Sequence, residues 1–162
     1  MRSLALAAAA LVVTASAAAA LPKAGVFVPG RSLGGIRLDE SAADVRAALG
    51  HSYGVCSACA TTTWYFTYKK FDLHGLAVEL TGGRVSAVYT LWQPSGWRAA
   101  KGLRLGVVEA QLTTSTGPLV SVVCPGYDAR VADGSRARSV YYVLQGKLWG
   151  FGLLRAHANP CR

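Results

Sequence analysis

"GIRLDESAADVRAALG", Gly35 to Gly50, and "GLRLGVVEAQLTTSTG", Gly102 to Gly117, are the stretches whose reading decides the fold. Aligned without a gap, they agree at Gly35/Gly102, Arg37/Arg104, Leu38/Leu105, Ala43/Ala110 and Gly50/Gly117. Ile36/Leu103 and Val45/Leu112 are conservative exchanges. This agreement predicts an internal duplication. In the first copy Ser41 reads as an N-cap, and Asp44 three residues later completes a capping-box-like pattern. Ala42, Val45, Ala48 and Leu49 share one helical face, and Gly50 suits the position just past a helix. The expectation is a helix over 41–49, too short to stand alone in water, so it must pack on something. The second copy reads as a threonine-rich, weakly capped helix over 107–115.

Strand-forming sequence follows each copy. "TTTWYFTYKKF" (61–71) is β-branched and aromatic. "LAVEL" (76–80) and "RVSAVYTLW" (84–92) flank Gly82-Gly83, a two-residue hairpin turn. Further on, "SVVC" (121–124) and "YDARVAD" (127–133) read as extended. "RSVYYVL" (138–144) and "KLWGFGLLR" (147–155) flank a second such turn, Gln145-Gly146. The expected fold class is α+β: two tandem units, each a short helix packed on an antiparallel three- to four-stranded meander. They would occupy 21–92 and 102–162, with 93–101 as the linker.

The first twenty residues read as a secretory signal peptide. Met1-Arg2 is a short positive region, Leu4 to Val13 is an apolar stretch too short to span a bilayer, and "ASAAAA" (15–20) is small-residue cleavage chemistry. No second apolar run is long enough to cross a membrane, so an extracytoplasmic, secreted protein without a membrane span is expected. Seventeen Lys and Arg stand against eight Asp and Glu, a formal net charge of +9. The charges are scattered, with Lys69-Lys70 and Arg136/Arg138 the only close pairs. A nucleic-acid binder usually concentrates positive charge on one face, so nucleic acid is not an expected partner. Weak contact with anionic cell-wall polymers is.

Cys56, Cys59, Cys124 and Cys161 in an exported chain suggest two disulfides. Three connectivities are possible; the reading taken is Cys56–Cys59 with Cys124–Cys161. The second bridge would clip the C-terminal segment to the body by closing a long loop. Cys56-Ser57-Ala58-Cys59 has the spacing of a redox pair or half a zinc site as well. A redox pair gains thiolate stability at a helix N-terminus, however, and this pair follows a helix and precedes a strand. A structural bridge is the reading taken, with no metal and no cofactor.

The short apolar lead-in, capped helix and closing glycine, carried by Ile36, Leu38, Val45, Leu49 and Gly50 and again by Leu103, Leu105, Gly106, Leu112 and Gly117, resemble the helix-plus-sheet repeat of the β-lactamase inhibitor proteins. Those are secreted proteins built from two such units. A single unit of similar design occurs in the small lipoproteins of the outer-membrane barrel-assembly machinery. Asp39 stands in the first copy where the second has Gly106. The resemblance implies a fold and, through it, an inhibitor-like binding role; it assigns no inhibitory residue.

No H-E-x-x-H and no phosphate loop is present. Asp72-Leu73-His74-Gly75 reads as a turn. A regular register about Gln145-Gly146 pairs Tyr142 with Trp149 and Val140 with Phe151, placing all four on the sheet face away from the helices. The same register about Gly82-Gly83 sends Val85, Ala87 and Tyr89 to the helix-covered side, and Ser86, Val88 and Thr90 to the open side, which ends in Trp92. Trp64, Phe66 and Tyr68 take the core parity, which leaves Tyr65 to join the open face. Such an apolar patch is seldom idle on a soluble monomer, unless the first half, the linker around Trp97 or the C-terminal tail covers it. The function read from the sequence is a secreted, non-enzymatic module that binds an extracellular or envelope protein through Tyr65, Trp92, Val140, Tyr142, Trp149 and Phe151. The alternative is a small thiol-disulfide enzyme using Cys56 and Cys59.

Overall fold

The structure is a computed structural model that describes residues 21–22, 24–56 and 58–162; the expected signal peptide, 1–20, lies outside the described residues. Helix α1 spans Ala42–Leu49. The capping box forms as its sequence predicts: the Asp44 N–H donates to the Ser41 hydroxyl at 3.2 Å, and the Ser41 N–H donates to the Asp44 carboxylate at 2.9 Å. Val45 and Leu49 are buried, and the chain leaves through Gly50 at φ 86, a conformation that favours glycine. Helix α2 spans Glu109–Thr116 and has no side-chain cap, with Val108 at the N-cap position. Hydroxyls of Thr113, Thr114, Ser115 and Thr116 turn back onto carbonyls one turn earlier, which adds little to a helix. Its anchor is Leu112, fully buried.

The strands are β1 Val26–Val28, β2 Ser32–Leu33, β3 Gly54–Cys56, β4 Thr62–Thr67, β5 Gly75–Thr81, β6 Arg84–Leu91, β7 Arg98–Ala99, β8 Val120–Cys124, β9 Tyr127–Asp133, β10 Ala137–Leu144 and β11 Lys147–Arg155. Eight of them form one antiparallel sheet in the order β3-β4-β5-β6-β11-β10-β9-β8. This overturns the expected fold class. The molecule is mostly β, with one continuous sheet and two short helices, instead of two tandem helix-plus-sheet units. The joint is β6 against β11, paired at Ala87–Leu154, Val88–Leu153 and Tyr89–Gly152. One core lies on the helix side, where Val45 and Leu49 of α1 and Leu112 of α2 join Phe27, Leu76, Val88, Leu148 and Phe151. Helices of two turns bury too little to close two separate cores.

The stretch 93–101, expected as a linker, is built into this body. Trp97 is fully buried and its indole N–H donates to the Tyr68 hydroxyl at 2.6 Å. Beside it β7 runs parallel to β1 in a small sheet of order β2-β1-β7.

Both hairpins turn where the sequence places them, at Gly82-Gly83 and Gln145-Gly146, all four residues at positive φ. Past the turns each hairpin departs from a regular register. Leu80 faces Val85 but Glu79 faces Ala87, leaving Ser86 as an extra residue. Val143 faces Leu148 but Tyr142 faces Gly150, leaving Trp149 extra. These are β-bulges, and each reverses the side-chain parity of the strand beyond it. So Val88 packs in the helix-side core, whereas Ala87 and Tyr89 lie on the opposite face, the reverse of the regular-register expectation.

Candidate functional site on the open sheet face

The face away from the helices carries a second apolar cluster of Ala87, Cys124, Ala129, Val131, Val140, Tyr142 and Leu154. Tyr142 is the largest fully buried side chain in it. Its ring reaches from β10 across β11, over Gly150 and Gly152. A Cβ on Gly152 would stand 2.7 Å from the Tyr142 hydroxyl, and one on Gly150 would stand 3.2 Å from its ring. Two glycines on alternate positions of β11 therefore cut a notch that the tyrosine fills.

The bulges correct part of the predicted site. Phe151 is fully buried on the helix side, stacked on Phe27 at 5.2 Å between ring centroids. It cannot meet a partner, because the extra residue Trp149 turned it over. Val140 and Tyr142 do lie on the open face, but they are 0% and 1% exposed: the C-terminal segment roofs them. Trp149 is half-buried. Trp92, in contrast, is 54% exposed, at the end of β6 and at φ 53. Tyr65, on β4, is half-buried and faces the same side.

The roof is the segment 156–162. The Arg138 guanidinium donates to the Ala158 carbonyl at 2.7 Å, Cys161 is bridged to Cys124, and Ala158 and Cys161 pack on the second cluster. At its end Arg162 turns into the sheet. Its Nε donates to Glu79 at 3.0 Å, with both side chains mostly buried at 15% and 16% exposure. The guanidinium lies 5.8 Å from the centroid of the Tyr89 ring, a cation–π contact. The Tyr127 hydroxyl donates to the Arg162 carbonyl and accepts from its N–H, each at 2.5 Å.

Beside the roof the rings stay accessible. Trp92 meets Trp149 edge-on at 6.0 Å, Trp149 meets Tyr127 at 5.6 Å, and Tyr127 meets Tyr142 at 5.7 Å. A cleft of about 210 Å³ opens among Trp92, Trp149, Tyr127, Tyr89, Tyr65 and Arg162. It adjoins a more polar trough of about 570 Å³ lined by Thr63, Glu79, Ser86 and Arg155, with which it shares Tyr65, Tyr89 and Arg162. Two polar atoms in this region are buried with no hydrogen-bond partner, the Tyr142 hydroxyl and the Trp149 indole N–H. Burial holds the Tyr142 hydroxyl far above the ordinary phenol range; burial, then the Glu79 carboxylate, does the same for Tyr89.

Tyr89, Tyr127, Glu79 and Arg162 are members of this site that the sequence reading did not include. One signal for two of them was at hand. The bridge read as Cys124–Cys161 already brings Arg162 beside the start of β9, where Tyr127 lies.

Both expected disulfides are present, Cys56–Cys59 and Cys124–Cys161. Cys56 ends the edge strand β3, away from the N-termini of α1 and α2. Among the described residues no cluster of three or more His, Cys, Asp or Glu is placed to hold a metal ion. Asp72 makes the turn that its sequence suggests, accepting from the His74 N–H at 2.9 Å and from the His74 ring at 2.8 Å. These bonds hold its carboxyl below the usual range.

No protein-family model matches the chain, and no curated protein does. Among solved structures, a DUF4309 family protein (YjgB) from Bacillus subtilis subsp. subtilis str. 168 aligns with 76% of this chain and 84% of its own, at 17% identity and TM-score 0.55. An extracellular protein containing a SCP domain from Bacillus anthracis str. Ames aligns with 73% of this chain at 10% identity and TM-score 0.53. The match spans 44% of that protein's own length. Identities this low show a shared fold and nothing about activity.

Proposed function

We propose that this chain is an extracytoplasmic, non-catalytic binding module that grips another extracellular or envelope protein with the aromatic end of its open sheet face. The observation that carries the reading is the run of rings from exposed Trp92 through Trp149 to Tyr127, packed against one another on the sheet. Tryptophan and tyrosine are the usual anchors of protein interfaces, and rings held by their neighbours lose little freedom on binding. The signal-type leader and two disulfides support an address outside the cytoplasm. Inhibition of a secreted enzyme is the specific form suggested by the resemblance to the β-lactamase inhibitor proteins.

The test is capture from culture and envelope fractions of the producing cells, with the chain immobilised through its N-terminal side. A protein retained by the intact chain should be lost with Trp92→Ala and Trp149→Ala, while both variants keep their thermal unfolding transition. Capture that survives both substitutions removes the aromatic end from the function. Trp92 is the cleaner variant, because more than half of it is already in solvent.

A further inference from the structure

Arg162 shows what the trough can hold. Its guanidinium is not spread on the surface as most arginines are. It is mostly buried, paired with the equally buried Glu79 and set against the face of Tyr89, with Tyr65 and Tyr127 beside it. A carboxylate flanked by tyrosine rings is selective for a cation, and most selective for a planar one that can bond the carboxylate and lie on a ring at once. The Tyr142 hydroxyl, buried and unpartnered, feels the same guanidinium charge.

We propose that this is an arginine-binding seat for the partner, held in the free protein by the chain's own Arg162 as a displaceable stand-in. The inference rests on the reading of the open face as a docking surface and adds the chemistry of the anchor: an arginine side chain of the partner, entering beside the Trp92–Trp149 rings. Only the side chain has to move: the Cys124–Cys161 bridge and the Tyr127 hydroxyl hold the backbone around it, and leaving exchanges its bonds to Glu79 and to the Asn159 and Cys161 carbonyls for water. The arginine can leave while the rest of the segment stays tied. Until it leaves, the stand-in competes at the high effective concentration of an attached ligand, so the intact chain binds free arginine derivatives poorly.

The experiment titrates Nα-acetyl-arginine amide into Arg162→Ala and into the intact chain, following tryptophan fluorescence. Arg162→Ala should bind it saturably and about tenfold or more tighter than the intact chain does. The double variant Arg162→Ala/Glu79→Gln should lose that binding, and the uncharged isostere Nα-acetyl-citrulline amide should not bind. Should Arg162→Ala lose its fold, the intact chain carries the test. High concentrations of the arginine amide should then shift the NMR signal of the Arg162 Nε–H, and citrulline amide should not. No saturable binding in the variant together with no Arg162 shift, or equal binding of citrulline, overturns the seat. That failure beside Trp92-dependent partner capture leaves the docking surface standing without it, so the two ideas fail separately.

Discussion

The N–H of Phe151 donates to the Thr90 hydroxyl at 3.0 Å, in the buried seam between β6 and β11. The backbone ladder between these strands ends one pair earlier, at Tyr89–Gly152, so a side chain takes over where the ladder stops. Thr90 is 2% exposed. Thr90→Val should leave the Phe151 N–H buried and unpaired, lowering stability by about 1–3 kcal/mol, while Thr90→Ser should restore most of it. Urea unfolding of the three proteins checks this; a neutral Thr90→Val would mean the joint holds by packing alone.

The glycine notch under Tyr142 makes an opposed pair of expectations. Gly152→Ala places a methyl 2.7 Å from the Tyr142 hydroxyl and should destabilise by about 1–3 kcal/mol through overpacking. Tyr142→Phe removes a hydroxyl that is buried without a partner and should be neutral or stabilising by up to about 1 kcal/mol. Adding Tyr142→Phe to Gly152→Ala should recover part of the loss. Strictly additive effects would show that the methyl and the hydroxyl do not meet.

Alkaline and acid limits have opposite signs. Burial raises the phenols of Tyr89, Tyr141 and Tyr142, Tyr141 to about 12 and the other two further. A raised folded-state value means their contribution is complete below the ordinary phenol value of 10.0 and is lost as pH rises beyond it. Thermal stability should therefore fall above that pH, with the phenolate absorbance of these residues held back until the chain unfolds or, for Tyr141, until the pH nears about 12. Asp44 is shifted the other way, first by the hydrogen bond from the Ser41 hydroxyl. The contribution of that cap is present above pH 3.8 and is lost as pH falls through the depressed value. Asn at position 44 should flatten the acid side of the profile and leave the alkaline side unchanged.

The two disulfides should differ in what they contribute. Cys124–Cys161 closes a loop with a sequence separation of 37, for which chain entropy gives about 3–4 kcal/mol. Cys56–Cys59 has a separation of only 3, and the same argument gives about half as much. The serine pair at 124 and 161 should lower the unfolding midpoint more than the pair at 56 and 59. It should also raise hydrogen exchange on the open face of β9 and β10, where the roof packs. Equal losses would mean that the roof is held by Arg138 and Arg162 without the bridge.

Local signals were legible in the sequence. The capping box at Ser41 and Asp44 and both hairpin turns follow from a few adjacent residues, and the structure has them; the two bridges, read as one of three possible pairings, are there as well. Two non-local features were not. The joining of β6 to β11 depends on residues far apart in the chain, although "RVSAVYTLW" and "KLWGFGLLR" are nearly continuous apolar runs, and strands buried on both faces read that way. The bulges were hidden because one unpaired residue has no compositional signature, and a single uncounted residue is enough to send Phe151 to the wrong side. Trp92 and Tyr65 escaped that error: Trp92 stands in the open just past β6, and Tyr65 lies on β4, which has no bulge.

Trp149 and Ser86 are surplus to the ladders they interrupt: Leu148 and Gly150, and likewise Val85 and Ala87, already pair as neighbours would in an uninterrupted hairpin. Shortening either strand by that one position would leave every remaining pair aligned. The ladder is thus indifferent to these two positions, and their side chains answer to the open face instead: Trp149 to the rings of Tyr127 and Tyr142, Ser86 to the Glu79 carbonyl.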